Sequence, residues 1–209
     1  MKRYLPDDLL AKHFDIRSNI SVETFFRSPK HQKTQELWCA AHFSRAYEKH
    51  LEACTVLVAD NDNQTDVDFE LEVMGKNYPF QITEVQAPSR RRGDEYKGSS
   101  NPVIHNWEWN DGAQNGVQWI NNSITKKFCK YGGEVANLNL LIYLNFQARQ
   151  IQYETICLEM SDVASNFASI WLLNANTMCC IVPNKTLMSF KGWMIISESL
   201  NDENTNKLP

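Results

Sequence analysis

An alternating run of acidic and apolar residues at positions 66–73 constrains the fold of this chain of 209 residues more than any other feature. An alternation with a period of two is the pattern of a strand with one buried face. The segment 75–77 (Gly-Lys-Asn) is typical of a turn, and residues 78–86 form a second run rich in β-forming side chains. Two such runs around a short loop predict a β-hairpin. The apolar members of the first run are Val67, Phe69, Leu71 and Val73, and the acidic members are Asp66, Asp68, Glu70 and Glu72.

The expected register of this hairpin brings two carboxylates together. With a loop of three residues, Met74 pairs with Tyr78, and Asp68 then lies directly opposite Glu84. Opposed side chains have Cβ atoms roughly 4.5–5.5 Å apart, so two like charges there are destabilising unless a cation lies between them. A divalent cation that prefers carboxylate oxygens would satisfy both. The alternatives are a solvated acidic strand face, and a two-residue loop that sends the carboxylates to opposite faces.

The remaining apolar patterns predict helices and strands on both sides of the hairpin. Spacings near 3.6 residues indicate helices, and short apolar runs indicate strands. Ser21 is suited to cap one short helix, and Gly132-Gly133 to end a long one. The predicted helices are 7–14, 21–26, 32–53, 113–131 and 154–168, and the predicted strands are 55–59, 138–144 and 170–182, with a last strand or edge element at 185–197.

The composition favours a protein of the cytoplasm. Hydrophobic residues make up 43% of the chain and charged residues 22%, as is typical of soluble globular proteins. No apolar run approaches the ~18 residues of a membrane span, and the N-terminus has no apolar signal core. The six cysteines form no CxxC pair, so we interpret them as reduced core residues. The net charge of −4 disfavours a general nucleic-acid coat protein but permits an acidic site beside local basic patches.

One domain accounts for most of the chain, because 209 residues are enough for one complete core. We expect the domain over residues 31–198, an N-terminal extension packed on it at 1–30, and a polar C-terminal tail at 199–209. The loop after the hairpin contains three consecutive arginines. These are either solvated surface residues or phosphate ligands beside the site. They are Arg90, Arg91 and Arg92.

Asp68, a gap of fifteen residues and then Glu84-Val85-Gln86 resemble the motif of the PD-(D/E)XK nuclease superfamily. That motif is an Asp on one strand followed by Asp/Glu-X-Lys on the next, so Gln86 stands where most members have Lys. The predicted order of helix, three strands, helix and strand is similar to the superfamily's αβββαβ core. The resemblance covers roughly residues 32–146 and extends more loosely to 183. It implies an α/β, restriction-endonuclease-like fold with a mixed central sheet flanked by helices.

The resemblance also implies a metal-dependent nuclease, an endonuclease that hydrolyses phosphodiester bonds of DNA. Asp68, Glu84 and the main-chain carbonyl of Val85 would hold Mg²⁺, for which Mn²⁺ could substitute, and Gln86 would position the attacking water. Because Gln86 carries no charge, a catalytically weak or inactive module that binds nucleic acid or protein is an alternative. A third interpretation is an unrelated α/β domain with an acidic hairpin. The oligomeric state is left open between monomer and homodimer.

Two helices are expected to complete such a site. Many members of the superfamily add a Glu from the first helix, and Glu36 and Glu48 are the candidates here. Glu36 is favoured because the start of that helix should lie on the active-site side, although Glu48 falls on the inward stripe. Lys127 lies about 60° from the middle of the apolar stripe of the second helix, whereas Lys126 is nearly opposite it. Lys127 could therefore extend over the sheet and supply the missing cation.

Overall fold

The computed structural model describes residues 1–59, 67–88, 109–146, 148, 151–175 and 177–196, with side chains of the helix at 109 described from residue 112. These residues form one sheet of eight strands flanked by helices. The strands are β1 Lys2–Tyr4, β2 Thr55–Val58, β3 Phe69–Val73, β4 Lys76–Val85, β5 Asn139–Leu144, β6 Ser169–Asn174, β7 Thr177–Val182 and β8 Met194–Ile195. The helices are α1 Pro6–Ser18, α2 Val22–Arg27, α3 Gln32–His50, α4 Trp109–Lys130 and α5 Tyr153–Leu158, with 3₁₀ turns at Pro29–His31 and Asp162–Asn166.

The sheet is mixed, and its strands lie side by side in chain order. The pairs β1–β2, β2–β3 and β3–β4 are antiparallel, the pairs β4–β5 and β5–β6 are parallel, and the pairs β6–β7 and β7–β8 are antiparallel. The long connection that parallel pairing of β4 and β5 requires contains α4. The predicted α/β class with a mixed sheet and flanking helices is confirmed. The order α3, β2, β3, β4, α4, β5 also follows the predicted sequence of elements.

Helices cover both faces of the sheet, which gives the molecule two hydrophobic clusters. On one face α1 and α3 pack on the first strands, and Phe43 of α3 contacts the rings of Phe69, Phe80 and Trp171. On the other face the apolar stripe of α4 packs on alternate residues of β5 and β6. Because both faces of β5 are buried, its sequence is almost continuously apolar.

Residues 1–30 take part directly in this architecture. Strand β1 pairs with β2 and so forms one edge of the sheet, and α1 packs along α3. The predicted cap of α2 is confirmed, because the Ser21 hydroxyl accepts a hydrogen bond from the Thr24 N–H at 3.2 Å. Within the described ranges, no helix combines the length and apolar character needed to cross a membrane.

The predicted three-residue loop of the β3–β4 hairpin is wrong. Val73 pairs with Lys76 and Phe69 with Phe80, so the loop is only Met74-Gly75, and both of its residues have positive φ (49° and 73°). Positive φ at both central residues is the type I′ turn, whose twist matches that of the strands.

Burial explains why the shorter loop is preferred. In the observed register the rings of Phe69 and Phe80 stack with their centroids 4.8 Å apart in the core. The predicted register would have placed Phe69 opposite Thr83 instead, and an apolar side chain would have faced a polar one. In the observed register Asp68 does not lie opposite Glu84, and the two residues lie on different faces of a regular ladder.

This register makes a prediction about the turn. Met74 is 85% exposed and has positive φ, which Asn tolerates better than Met does. We expect Met74→Asn to raise the free energy of unfolding by about 0.5 kcal/mol, measured by urea denaturation. Met74→Val is the matched control and should destabilise the protein, because β-branched residues are disfavoured at positive φ. Destabilisation by Met74→Asn would contradict the two-residue turn.

Two further elements differ from the prediction. The predicted strand at 170–182 is a hairpin of β6 and β7, in which the polar residues Asn174 and Thr177 pair where the two apolar halves meet. The predicted helix at 154–168 is split into α5 and a 3₁₀ turn. The Asn121 side chain of α4 explains this break, since it bonds the Glu159 carbonyl and the Ser161 N–H and so replaces the helical bonds there.

Candidate active site

A cavity of about 630 Å³ lies between the N-terminal helices and the second half of β4. Three of the predicted site residues, Glu36, Glu84 and Lys127, line it although they come from α3, β4 and α4. The other polar and charged lining residues are Arg17, Gln32, Gln35 and Thr83, and the aromatic ones are His13, Phe14, Phe25, Phe26, Trp38 and Tyr143. The fold therefore brings together residues that are as many as 130 positions apart in the chain.

Asp68 is attached to the strand that carries Glu84. It directly precedes β3, its N–H donates to the Phe80 carbonyl at 2.9 Å, and its Oδ2 accepts a hydrogen bond from the Ile82 N–H at 2.6 Å. The pairing of β3 with β4 ends at the pair Phe69–Phe80. Beyond Phe80, the main-chain groups of β4 that point toward β3 can therefore form hydrogen bonds with side chains. Asp68 occupies the first such position.

Lys127 of α4 occupies the next position on the same strand. Its Nζ donates to the Ile82 carbonyl at 3.2 Å and to Oε1 of the buried Gln81 at 2.9 Å. The N–H and the carbonyl of one strand residue face the same neighbour. Ile82 therefore holds the carboxylate of Asp68 and the ammonium group of Lys127 on one edge of β4. The prediction that Lys127 extends over the sheet agrees with this placement, whereas Lys126 is exposed.

The two carboxylates and the lysine influence one another electrostatically. Burial raises the pKa of the Glu36 carboxyl, and the negative charge of Asp68 raises it further. Burial also raises the pKa of Asp68, while the Ile82 N–H and the charge of Lys127 act in the opposite direction. Burial lowers the pKa of Lys127, and both acids oppose that shift. The two acids thus lie in a partly desolvated place, where a bound cation would be stabilising.

Glu84 lies at the outer end of the cavity and is exposed. Its carboxylate accepts a hydrogen bond from the side-chain amide of Asn145, whose own N–H donates to the Val85 carbonyl at 2.8 Å. Asn145 was not among the site residues predicted from the sequence. The signal that could have found it is its position directly after β5, because the carboxyl ends of adjacent parallel strands meet at one edge of a sheet.

Gln86, the residue in place of the motif lysine, follows the end of β4. Its Oε1 is buried and has no hydrogen-bond partner among the described residues. A buried acceptor without a donor is costly, and a water or a cation would satisfy it. The Val85 carbonyl accepts one hydrogen bond and keeps a second lone pair.

The donor set suits a hard cation such as Mg²⁺. Carboxylate, amide and carbonyl oxygens are its preferred ligands, and Mg²⁺ usually takes one or two carboxylates and keeps several waters. Across the described ranges no three His, Cys, Asp or Glu side chains converge closely enough to form a ready-made metal cluster. The acid on which the Asp68 charge acts is Glu36 of α3, and not Glu84 directly across the hairpin as the sequence had predicted.

The remaining predicted residues fall into two groups. Glu48, the alternative to Glu36, is exposed at the far end of α3, where its charge acts on the Cys54 thiol. Arg90, Arg91 and Arg92 lie outside the described residues, so their role as phosphate ligands stays a prediction.

Comparisons of this chain with protein-family models, with curated proteins and with solved structures gave no match. The function is therefore inferred from the residues and their geometry.

The raised pKa values of Glu36 and Asp68 predict a particular pH dependence of stability. A carboxyl whose pKa is raised on folding contributes stability below its ordinary pKa, 4.5 for Glu36 and 3.8 for Asp68, and that contribution is lost as the pH rises through the folded-state pKa. We therefore expect Glu36→Gln to melt at a higher temperature than the wild type at pH 7 in EDTA, by a few degrees at most, and at the same temperature at pH 4.

Added Mg²⁺ or Mn²⁺ should then raise the melting temperature of the wild type more than that of Glu36→Gln, because a ligand stabilises the state that binds it. Circular dichroism measures both effects. A lower melting temperature of Glu36→Gln at pH 7 without metal would contradict the like-charge interaction of Glu36 with Asp68.

Proposed function

We propose that this protein is a metal-dependent nuclease that hydrolyses phosphodiester bonds of DNA on a restriction-endonuclease-like core. The observation that carries the proposal is the placement of Lys127 on β4 beside Asp68, with Glu36 coupled to both. A nuclease of the PD-(D/E)XK type needs a cation near its acids, and Lys127 supplies from α4 the charge that Gln86 lacks. The order α3, β2, β3, β4, α4, β5 further supports this fold assignment.

Each polar residue of the site has a proposed role. Asp68 and Glu36 would hold Mg²⁺ or Mn²⁺, and Glu84 and the Val85 carbonyl are the further ligands that the resemblance implies. The metal would lower the pKa of a bound water and polarise the phosphate. Lys127 would stabilise the negative charge that develops on the phosphate oxygens when water attacks phosphorus and the P–O ester bond breaks. The amide oxygen of Gln86, which has no hydrogen-bond partner in the described part of the chain, would orient that water by accepting a hydrogen bond.

Two further parts of the proposal rest on other observations. Arg90, Arg91 and Arg92 follow Glu84 by six to eight positions in the chain and would contact backbone phosphates of the bound strand. All six cysteines are free thiols, and this supports a location in the reducing cytoplasm.

A non-catalytic module that binds nucleic acid or protein is the second candidate. The neutral Gln86 in the motif position favours it, as does the lack of a preformed three-acid cluster within the described ranges. Both candidates predict binding, and they differ in turnover.

A cleavage assay separates the two. Supercoiled plasmid, a linear duplex, a single-stranded DNA and an RNA of the same sequence are incubated with the protein in Mg²⁺, in Mn²⁺ or in EDTA. We expect cleavage of DNA with either metal and none in EDTA, with Mn²⁺ favoured because the neutral Gln86 leaves water activation to the metal. Binding of every substrate without cleavage in either metal would establish the non-catalytic module, and cleavage that persists in EDTA would contradict the metal.

A further inference from the structure

Much of the lining of the cavity is aromatic. Its rings come from the N-terminal helices and the first turns of α3, and they lie in the same cavity as Glu84 and Lys127. The rings of this aromatic wall are His13, Phe14, Phe25, Phe26 and Trp38. One ligand that fills the cavity would therefore meet both charged groups and flat aromatic faces.

The rings of the aromatic wall are held in place by their neighbours. The Trp38 ring lies 4.2 Å from that of His42 and meets the edge of Tyr143 at 5.2 Å, measured between centroids. Phe25 meets the edge of Phe26 at 4.9 Å, and the Arg17 guanidinium lies over the Phe25 ring at 5.0 Å. The wall is thus largely formed before a ligand arrives, which lowers the entropic cost of binding.

Phe14 departs from what a purely structural role requires. Its side chain lines the cavity and yet is 56% exposed, so it contributes little to the core and presents an aromatic face to solvent. Exposed aromatic surface beside charged groups is typical of a ligand site rather than of a stabilising contact.

We propose that the aromatic wall binds one unpaired nucleobase of the substrate strand, next to the phosphate that Lys127 contacts. This inference rests on the proposed nuclease function and specifies its substrate as single-stranded, frayed or extrahelical nucleotides. A nucleotide combines a phosphate with a flat aromatic base, and aromatic rings stack on bases of any sequence. A base inside an intact duplex is covered on both faces by its neighbours and cannot enter such a cavity unless it leaves the stack.

The cavity volume and the charges agree with this occupant. A volume of about 630 Å³ is within the range of small-molecule sites. The lining contains the cations Arg17 and Lys127 as well as the acids Glu36 and Glu84, so a charged ligand such as a nucleotide suits it better than a purely apolar one.

Fluorescence anisotropy with labelled oligonucleotides tests the proposal. A single-stranded 20-mer and a blunt duplex of the same sequence are titrated with the full-length protein in EDTA, where no cleavage is expected, both as DNA and as RNA. We expect the single strand to bind more tightly, and the double variant Phe14→Ala/Phe26→Ala to weaken its binding on the order of 5- to 150-fold. Duplex binding, which depends on phosphate contacts, should change less than threefold. Phe190→Ala is the matched control, because Phe190 is also exposed (43%) and lies outside the residues that line this cavity.

The outcomes separate this inference from the proposed function. Equal affinity for single strand and duplex, with the double variant behaving like Phe190→Ala, would overturn the base site even if the protein cleaves DNA. Phe14-dependent binding of the single strand without cleavage would support the base site and overturn catalysis. Binding of a free mononucleotide but of no strand would overturn the inference, because the site would then serve a small ligand. Circular dichroism spectra matching the wild type confirm that the double variant is folded.

Discussion

Asp68→Asn should lose metal-dependent cleavage by about 100-fold or more, the size of effect expected when a group at a metal or a developing charge is removed. The substitution leaves an oxygen that can still accept the hydrogen bond from the Ile82 N–H, so the contact with β4 is kept and only the negative charge is lost. Glu36→Gln should have an effect in the same direction, because the Asp68 charge acts on Glu36. Single-turnover cleavage in Mn²⁺ measures the loss of activity.

Calorimetry provides a second readout that does not depend on turnover. Titration of Mn²⁺ into the wild type should release or absorb heat with a measurable affinity, and Asp68→Asn and Glu36→Gln should each weaken it by at least about tenfold. Glu48→Gln is the control on the same helix, since Glu48 is exposed at the opposite end and should bind Mn²⁺ as the wild type does. Equal binding by all four proteins would exclude the proposed metal site.

Lys127→Gln should lower the cleavage rate by about 10²–10³-fold, because it removes the ammonium group that α4 places on β4 beside the acids. Glutamine keeps a side-chain donor for the Gln81 amide oxygen, which limits the loss of stability that an unpaired buried acceptor would cause. Lys126→Gln is the matched control one position earlier, where the side chain is exposed, and should cleave at the wild-type rate.

A rescue experiment decides whether the charge itself matters. If Lys127 replaces the motif lysine, then Gln86→Lys added to Lys127→Gln should restore at least about a tenth of the lost rate, because it returns a cation to the motif position. Gln86→Lys alone should retain or raise cleavage. If Lys127→Gln and Lys126→Gln cleave equally well, Lys127 is only a packing residue that extends along the sheet.

The sequence indicated the residues of the candidate site better than it indicated how those residues are arranged. Glu36, Asp68, Glu84 and Lys127 were each predicted from a motif or a helical position, and the structure places three of them on one cavity and Asp68 beside it. Which of these residues lie next to one another could not be predicted from the sequence. It depends on where β3 stops along β4 and on how α4 crosses the sheet, and neither quantity has a local signal in the sequence.

The chain by itself determined the elements whose signal is local. The 3.6-residue spacing of α3 and α4, the Ser21 cap of α2 and the apolar run of β5 result from contacts between residues a few positions apart. Packing between distant segments decided the rest. The turn Met74-Gly75 is short because Phe69 must stack on Phe80 in the core, and this register separates Asp68 from Glu84. Asp68 and Lys127 then meet at Ile82 because β4 continues past the end of β3, leaving main-chain groups that only side chains from elsewhere in the fold can satisfy.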